Sequence, residues 1–401
     1  MAEEGGLYAA SDVSVCGSII PPCWSVKSYI VWVIKDNIMF LNGWIMTKRN
    51  YTTTVFSKRS ARLFIAGLAL MVSQGTYATL SLESASFTHK DWDLICDNTL
   101  TCRAAGYSSG DTDPAATVLL IRDAGPATPV SNQVMLADYD GETASKNPGV
   151  PLLIIDNHSL GKLLAVDGDA WRMSHSQFTA FMQALRRDSK IIFKDNVNEY
   201  IFSGSGSSAV LLKMDDVQGR VGTTGALMKK GGNSESGVKI PVPQPVIIKA
   251  PVRDKQSRDM TLQETVLIKP LLMELVGSVT ECDKERINGT WQIAGLNEKL
   301  SLVIAPCWMA AYNSGDVHFV ISNDMSSPPV MVTDSGTSYD DGIVDFSMKG
   351  RGLGDCWSYE EWVWNGKRFE PSAAGNTGRC RLIRPGGAWS MPILKTNVVT
   401  E

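Results

Sequence analysis

The sequence offers no apolar run of bilayer-spanning length, no excess of basic residues, and only four histidines in 401 residues. Each shortage excludes something. The apolar run Leu63 to Val72 is about half of what a transmembrane helix needs, so the mature chain is expected to have no permanent membrane span. Lys and Arg number 38 against 42 Asp and Glu, and beyond residue 78 the balance is 31 to 38. A mildly acidic body lacks the basic face that phosphate-backbone binding requires, so nucleic acid is not an expected partner. The histidines, His89, His158, His175 and His318, are scattered with no H-E-x-x-H pair, and no serine occupies a G-x-S-x-G elbow. The expectation is no metal, no cofactor and no nameable catalytic set, with the enzyme question left leaning towards no.

What is present points to a compartment. Lys58, Arg59 and Arg62 form a basic cluster ahead of the apolar run, Ser73 and Gln74 follow it, and Thr76-Tyr77-Ala78 supplies small residues at its end. That order is the signature of a secretory leader, predicted at 46–78 with cleavage after Ala78. Because such leaders are read from the N-terminus, translation is expected to begin at Met46 or Met39. Residues 1–45, with Cys16 and Cys23, are then a doubtful extension outside the fold.

Six cysteines remain: Cys96, Cys102, Cys282, Cys307, Cys356 and Cys380. An even count in an exported chain reads as disulfides, with 15 pairings available. The spacings suggest three local bridges. Cys96 and Cys102 flank a hairpin-like Asp97-Asn98-Thr99-Leu100-Thr101, while Cys282–Cys307 and Cys356–Cys380 would close longer loops. No C-x-x-C pair or nearby histidine supports zinc.

The exported body divides at 229–258, where Pro241, Pro243, Pro245 and Pro251 favour a stiff, extended connector. Residues 79–228 read as an α+β domain. Trp92, Leu94 and Cys96 alternate as in a strand, and Val118–Ile121 and Leu152–Ile155 are strand-like runs. A helix begins near Ser176, with Phe178, Phe181, Met182 and Leu185 making one apolar stripe and Arg186, Arg187 and Lys190 suiting its negative pole. Residues 259–401 read as a β-rich domain. Asn365-Gly366 predicts a two-residue hairpin turn pairing Trp364 with Lys367 and Trp362 with Phe369. The face Trp362, Trp364 and Phe369 is expected to pack into the core, and an exposed aromatic binding surface is its alternative.

Two motifs tempt and fail on context. Gly204-Ser205-Gly206-Ser207-Ser208-Ala209 matches a dinucleotide fingerprint, but no βαβ unit with a ribose-binding acid follows. A tight turn with serines capping a helix is the plainer reading. The acidic stretches Asp138–Glu142 and Tyr339–Gly342 read as solvated turns, since neither completes a calcium loop.

Several stretches together resemble one bacterial family, catalogued as domain of unknown function 1176. They are Asp91–Asn98 with Thr101–Ala104, Ala184–Arg187, Met214–Thr223, Pro306–Trp308 with Ala311–Asn313, Gly354–Cys356 leading to Trp362–Phe369, and Cys380-Arg381. The resemblance runs from about Phe87 to the C-terminus and implies an exported chain with six recurrent cysteines. Two positions depart from the pattern: Trp357 stands where Gly is expected after Cys356, and Leu382 where Gly is common. The resemblance carries no reaction.

The sequence therefore predicts an α+β fold: a mixed strand-helix N-terminal domain and a β-rich C-terminal domain, disulfide-bonded and periplasmic. Its expected work is binding, or a structural or stress-related role in the cell envelope, with an unknown envelope protein or small ligand as partner. A hydrolase gathering His158 or His175 with a serine and a carboxylate is the rival, and an inhibitor of a lytic enzyme, presenting a loop held by Cys356–Cys380, is a third reading.

Overall fold

In a computed structural model, the described residues are 31–34, 37–40, 84–137, 148–166, 170–279 and 282–400. The leader at 46–78, its cleavage point, Cys16, Cys23 and the acidic stretch at 138–142 lie outside them. Within 1–77 the described residues are two short antiparallel strands, β1 (Val31–Ile34) and β2 (Asn37–Phe40).

The body, Ala78–Glu401, is mostly β-sheet with a few helices and three disulfides. Its first sheet has seven antiparallel strands in the order β3 (Ala85–His89), β4 (Trp92–Cys96), β5 (Cys102–Tyr107), β6 (Ala116–Arg122), β7 (Ser131–Leu136), β11 (Trp171–Arg172) and β10 (Leu164–Ala165). Both of its faces are covered, so β6 is buried at six of seven positions and shows no alternation. On one face Trp92, Leu94, Val118 and Leu120 pack against two helices and a second sheet. Those helices are α1 (His175–Ala184) and α2 (Ser207–Val217). The second sheet has four antiparallel strands in the order β13 (Glu199–Phe202), β12 (Ile191–Lys194), β8 (Leu152–Ile155) and β9 (His158–Lys162). On α1, Phe181 and Leu185 are buried and Phe178 and Met182 half-buried against this core. The helix starts at Ser174, whose hydroxyl and Gln177 form a reciprocal capping box.

The opposite face of the first sheet is covered by distant chain. Ile95, Tyr107, Leu119 and Met135 pack against Ile383, Trp389 and Met391. Arg379 binds Asp93 through two 2.7 Å hydrogen bonds and lies over the Tyr107 ring.

The C-terminal half holds two five-stranded antiparallel sheets. One runs β15 (Arg258–Asp259), β16 (Gln292–Gly295), β17 (Leu300–Met309), β18 (Ser314–Ser322) and β19 (Val330–Gly336). The other runs β20 (Ser338–Asp340), β21 (Ile343–Lys349), β22 (Trp357–Trp364), β23 (Phe369–Asn376) and β24 (Met391–Lys395). Strand alternation sorts their cores. Leu302, Ile304 and Val320 join Val344, Trp364 and Phe369, while Val303, Ala305, Val317, Phe319 and Ile321 face the helices α3 (Leu262–Val279) and α4 (Lys284–Ile287).

The long helix α3 was not expected in a β-rich segment. Its Thr261–Glu264 start is a reciprocal capping box, with Glu264 N–H on the Thr261 hydroxyl and Thr261 N–H on the Glu264 carboxylate. The stretch 229–258 is strapped along the body. Gly125 donates to the Lys239 carbonyl, Val242 to Thr99, Ala250 to Trp364 and Arg253 to Leu296. Strand β14 (Val246–Lys249) pairs in parallel with β25 (Asn397–Thr400). Prolines at alternate positions suit a strap that donates only from the residues between them.

Candidate functional site

The disulfides are Cys96–Cys102, Cys282–Cys307 and Cys356–Cys380. Cys96 and Cys102 are direct cross-strand partners on β4 and β5. Their turn is built by Asp97, whose carboxylate accepts N–H bonds from Thr99 and Thr101 and pairs with Arg103 at 2.8 Å. Asp355, Cys356 and Cys380 cluster as metal ligands would, but both sulfurs are spent in the disulfide. The Asp355 carboxylate is held by Arg351 at 2.6 and 2.7 Å and by the Leu382 N–H. Leu382, where the family pattern favours Gly, has φ +54°.

Trp362, Trp364 and Phe369 are not an exposed platform. Trp364 is fully buried, Phe369 is nearly so at centroid distance 5.4 Å, and Trp362 packs half-buried on the same core. The hairpin register also differs from a two-residue turn: Trp364 opposes Phe369, Val363 opposes Glu370 and Trp362 opposes Pro371, and a bulge beyond that pair sets Glu361 opposite Ala373. Gly366 takes φ +90° while Asn365 does not turn left-handed, and the Asn365 side chain accepts N–H bonds from both Lys367 and Arg368. The result is a four-residue loop in place of the mirror-image turn. Glu370 pairs with Arg368 at 2.7 Å. At the Tyr339–Gly342 turn Asp341 pairs with Lys249 at 2.7 Å, and Asp340 accepts a hydrogen bond from the Gln256 side chain.

The Gly204–Ala209 motif does sit between a strand and a helix, β13 and α2. Its strand lies at the edge of an antiparallel sheet, which removes the parallel crossover a dinucleotide fold needs. Gly206 has φ +98°, and a Cβ there would fall 2.1 Å from the His89 carbonyl oxygen, so the glycine serves close packing of backbone on backbone. The serines do not cap α2, because its N-cap is Gly206 with no side-chain bond. Ser207 and Ser208 instead donate to the Leu185 carbonyl at the end of α1, at 3.1 and 3.5 Å.

That head-to-tail junction forms one wall of a cleft of about 550 Å³. The cleft is lined by Ser109, by Leu185 to Ile191, by Ile201 to Ser205 and by Ser208. Antiparallel pairing of Ile191 with Phe202 brings Lys190 beside Ser203 and so places the Arg186–Lys190 segment against the Gly-Ser turn. Three cations, Arg186, Arg187 and Lys190, line it against one carboxylate, Asp188. Arg186 donates to the Leu227 carbonyl. Arg187 and the Lys190 ammonium make no ion pair among the described residues. The turn is fixed from below: the Ser203 hydroxyl donates to Asp91 at 2.6 Å and accepts from Ser205 N–H, and Trp92 Nε1 donates to the Ser203 carbonyl. The sequence reading gave Arg186, Arg187 and Lys190 to the helix dipole and missed the cleft. The available signal was the hairpin Ile191–Phe202, which folds one segment onto the other.

A second, apolar cavity of about 410 Å³ lies between α3 and the loop Met325–Pro329. The Met214–Thr223 stretch serves the fold. Asp215 accepts N–H bonds from Leu227 and Met228, its other oxygen faces Arg122 at 3.7 Å, and burial pushes its carboxyl upward. Arg220, fully buried, ties Glu235 to Thr128 and to the Gly125 carbonyl. Of the histidines, His158 Nδ1 lies 2.9 Å from the Asp156 carbonyl and His175 opens α1. His318 is buried between the two C-terminal sheets with Nε2 unpartnered, and burial lowers its pKa to about 4.

The fold and its crosslinks define a mostly β-sheet, disulfide-bonded protein. More particularly, the chain belongs to the family described as protein of unknown function (DUF1176), whose model matches residues 86–396. It is similar to the "Uncharacterized protein YpfG" of Escherichia coli (strain K12), with 27% identity over 305 residues covering 70% of this chain and 84% of that protein. A comparison with the solved structures gives no match.

Proposed function

We propose that this chain is exported through a cleaved leader and works in the periplasm as a binding protein of the cell envelope. The observation that carries the reading is the pairing of all six body cysteines in three disulfides, a state that thiol-reducing cytosol does not maintain. The basic, apolar, small-residue order at 58–78 supports it. So does the finding that, among the described residues, no helix is long and apolar enough to cross a membrane. The α+β half up to residue 228 and the β-rich half from 259 are read as two domains closed over a shared core. The cleft beside the Gly-Ser turn is the place where a small ligand would sit.

The reading is tested by fractionating bacterial cells that express the full chain, alkylating free thiols in each fraction and sequencing the N-terminus of the product. The expected result is a periplasmic chain beginning at Thr79 that takes up no alkylating agent until it is reduced. A cytosolic chain with six reactive body thiols would overturn it.

A further inference from the structure

We propose that the cleft between α1, β12 and the Gly-Ser turn binds a small ligand through a phosphate-type oxyanion. The inference rests on reading the chain as a binding protein and adds the chemical class of what it takes. The cleft volume of about 550 Å³ suits a small molecule. Its lining is rich in donors and poor in acceptors: Arg187 and Lys190 bring two cationic groups without an ion-pair partner among the described residues, and Asp188 is the one carboxylate against three cations. Arg187 offers a planar fork that matches oxyanion geometry, and Lys190 a point charge. A hydroxyl comes from a different side, from Ser205 on the turn. The start of α2 meets the end of α1 at this wall, so the two helix poles offset each other and the side-chain cations set the field. Donors arriving from separate directions fit the tetrahedral oxygens of a phosphate better than the two coplanar oxygens of a carboxylate. The site is also pre-formed, because Asp91, Ser203 and Trp92 lock the turn from below with bonds of 2.6 and 3.0 Å.

The experiment is calorimetric titration of the full, oxidised chain with inorganic phosphate and with glycerol 3-phosphate. A parallel arm measures co-sedimentation with phosphatidylcholine vesicles with and without phosphatidylglycerol. The test variant is Arg187→Ser/Lys190→Gln. The control, Lys213→Gln/Lys367→Gln, removes the same two charges elsewhere on the surface. The expected result is saturable one-to-one binding, weakened about tenfold or more in the test variant and unchanged in the control. Binding of the soluble phosphates names a free ligand. Binding of the anionic vesicles alone, lost in the test variant, names a lipid headgroup as the source of the same chemistry. Absence of binding to any probe up to ~10 mM, or equal weakening in both variants, would overturn the inference. Both variants alter exposed side chains, and retained cooperative melting shows that the fold is intact. A periplasmic, fully oxidised chain that ignores every probe sinks the cleft alone. A reduced cytosolic chain sinks the export reading and leaves the titration standing.

Discussion

The Leu382 N–H donates to the Asp355 carboxylate at 2.8 Å from a left-handed backbone, φ +54°, one residue after Arg381 and two after Cys380. An L-residue there crowds its Cβ against the following carbonyl, which costs roughly 1–2 kcal/mol, and part of that cost returns as Gly's larger unfolded-state entropy. Leu382→Gly should therefore stabilise the oxidised protein by about 0.5–1 kcal/mol, read as a higher urea midpoint at unchanged slope. A lower midpoint would show that the leucine's packing outweighs its backbone strain.

The two longer bridges close loops of similar size, with sequence separations of 25 and 24 against 6 for Cys96–Cys102. Restricting the unfolded chain in this way is worth about 3–4 kcal/mol for each long loop and about 1 less for the short one. Cys282→Ala/Cys307→Ala should lower unfolding free energy by about 3–4 kcal/mol in equilibrium denaturation. Loss of less than about 1 kcal/mol would mean that the α4 region is held by its packing alone.

His318 gives a pH signature whose sign follows from its burial. The unfolded chain takes up this proton near pH 6.5, but the folded one only near 4, so the unfolded state binds more protons between those values. Its contribution is intact above pH 6.5 and is lost as pH falls towards 4, by up to about 3 kcal/mol. In His318→Gln the fall in stability across that window should be shallower than in the parent. Parallel curves for the two proteins would assign the acid sensitivity to other groups.

Trp364 contributes to the core, so Trp364→Ala should cost about 3–5 kcal/mol, and Trp362→Ala, at a half-buried site, should cost less. Thermal melting of both variants checks the order. Equal, small losses would return these rings to the surface and reopen their reading as a binding platform.

Much of the fold was legible where the signal is local. The Cys96–Cys102 hairpin, the Phe181–Leu185 stripe and the strand at Leu152–Ile155 each depend on residues a few positions apart. Helix α3 was missed although Thr261 and Glu264 spell its start, because Pro270 interrupts the pattern and Leu262, Val266, Leu267 and Leu271 leave its outer face apolar and exposed. The Asn365-Gly366 turn was placed correctly and registered wrongly, since the Asn365 side chain competed for two backbone N–H groups. The cleft was illegible for a different reason. Its cations and its Gly-Ser turn are joined by a hairpin, and each half has an adequate local explanation as a helix end or a tight turn.

Coverage of the first sheet by Ile383, Trp389 and Met391 also sets the order in which the polypeptide can mature. A ribosome or a transport channel delivers residues in sequence, so β4, β5 and β6 must wait with one greasy side open until almost the whole thread has arrived. Nascent chains halted before Ile383 should be cut rapidly by added protease, and those released at full length should resist it. A molecule that completes itself this late stays pliable long enough to be threaded through a narrow passage before it hardens.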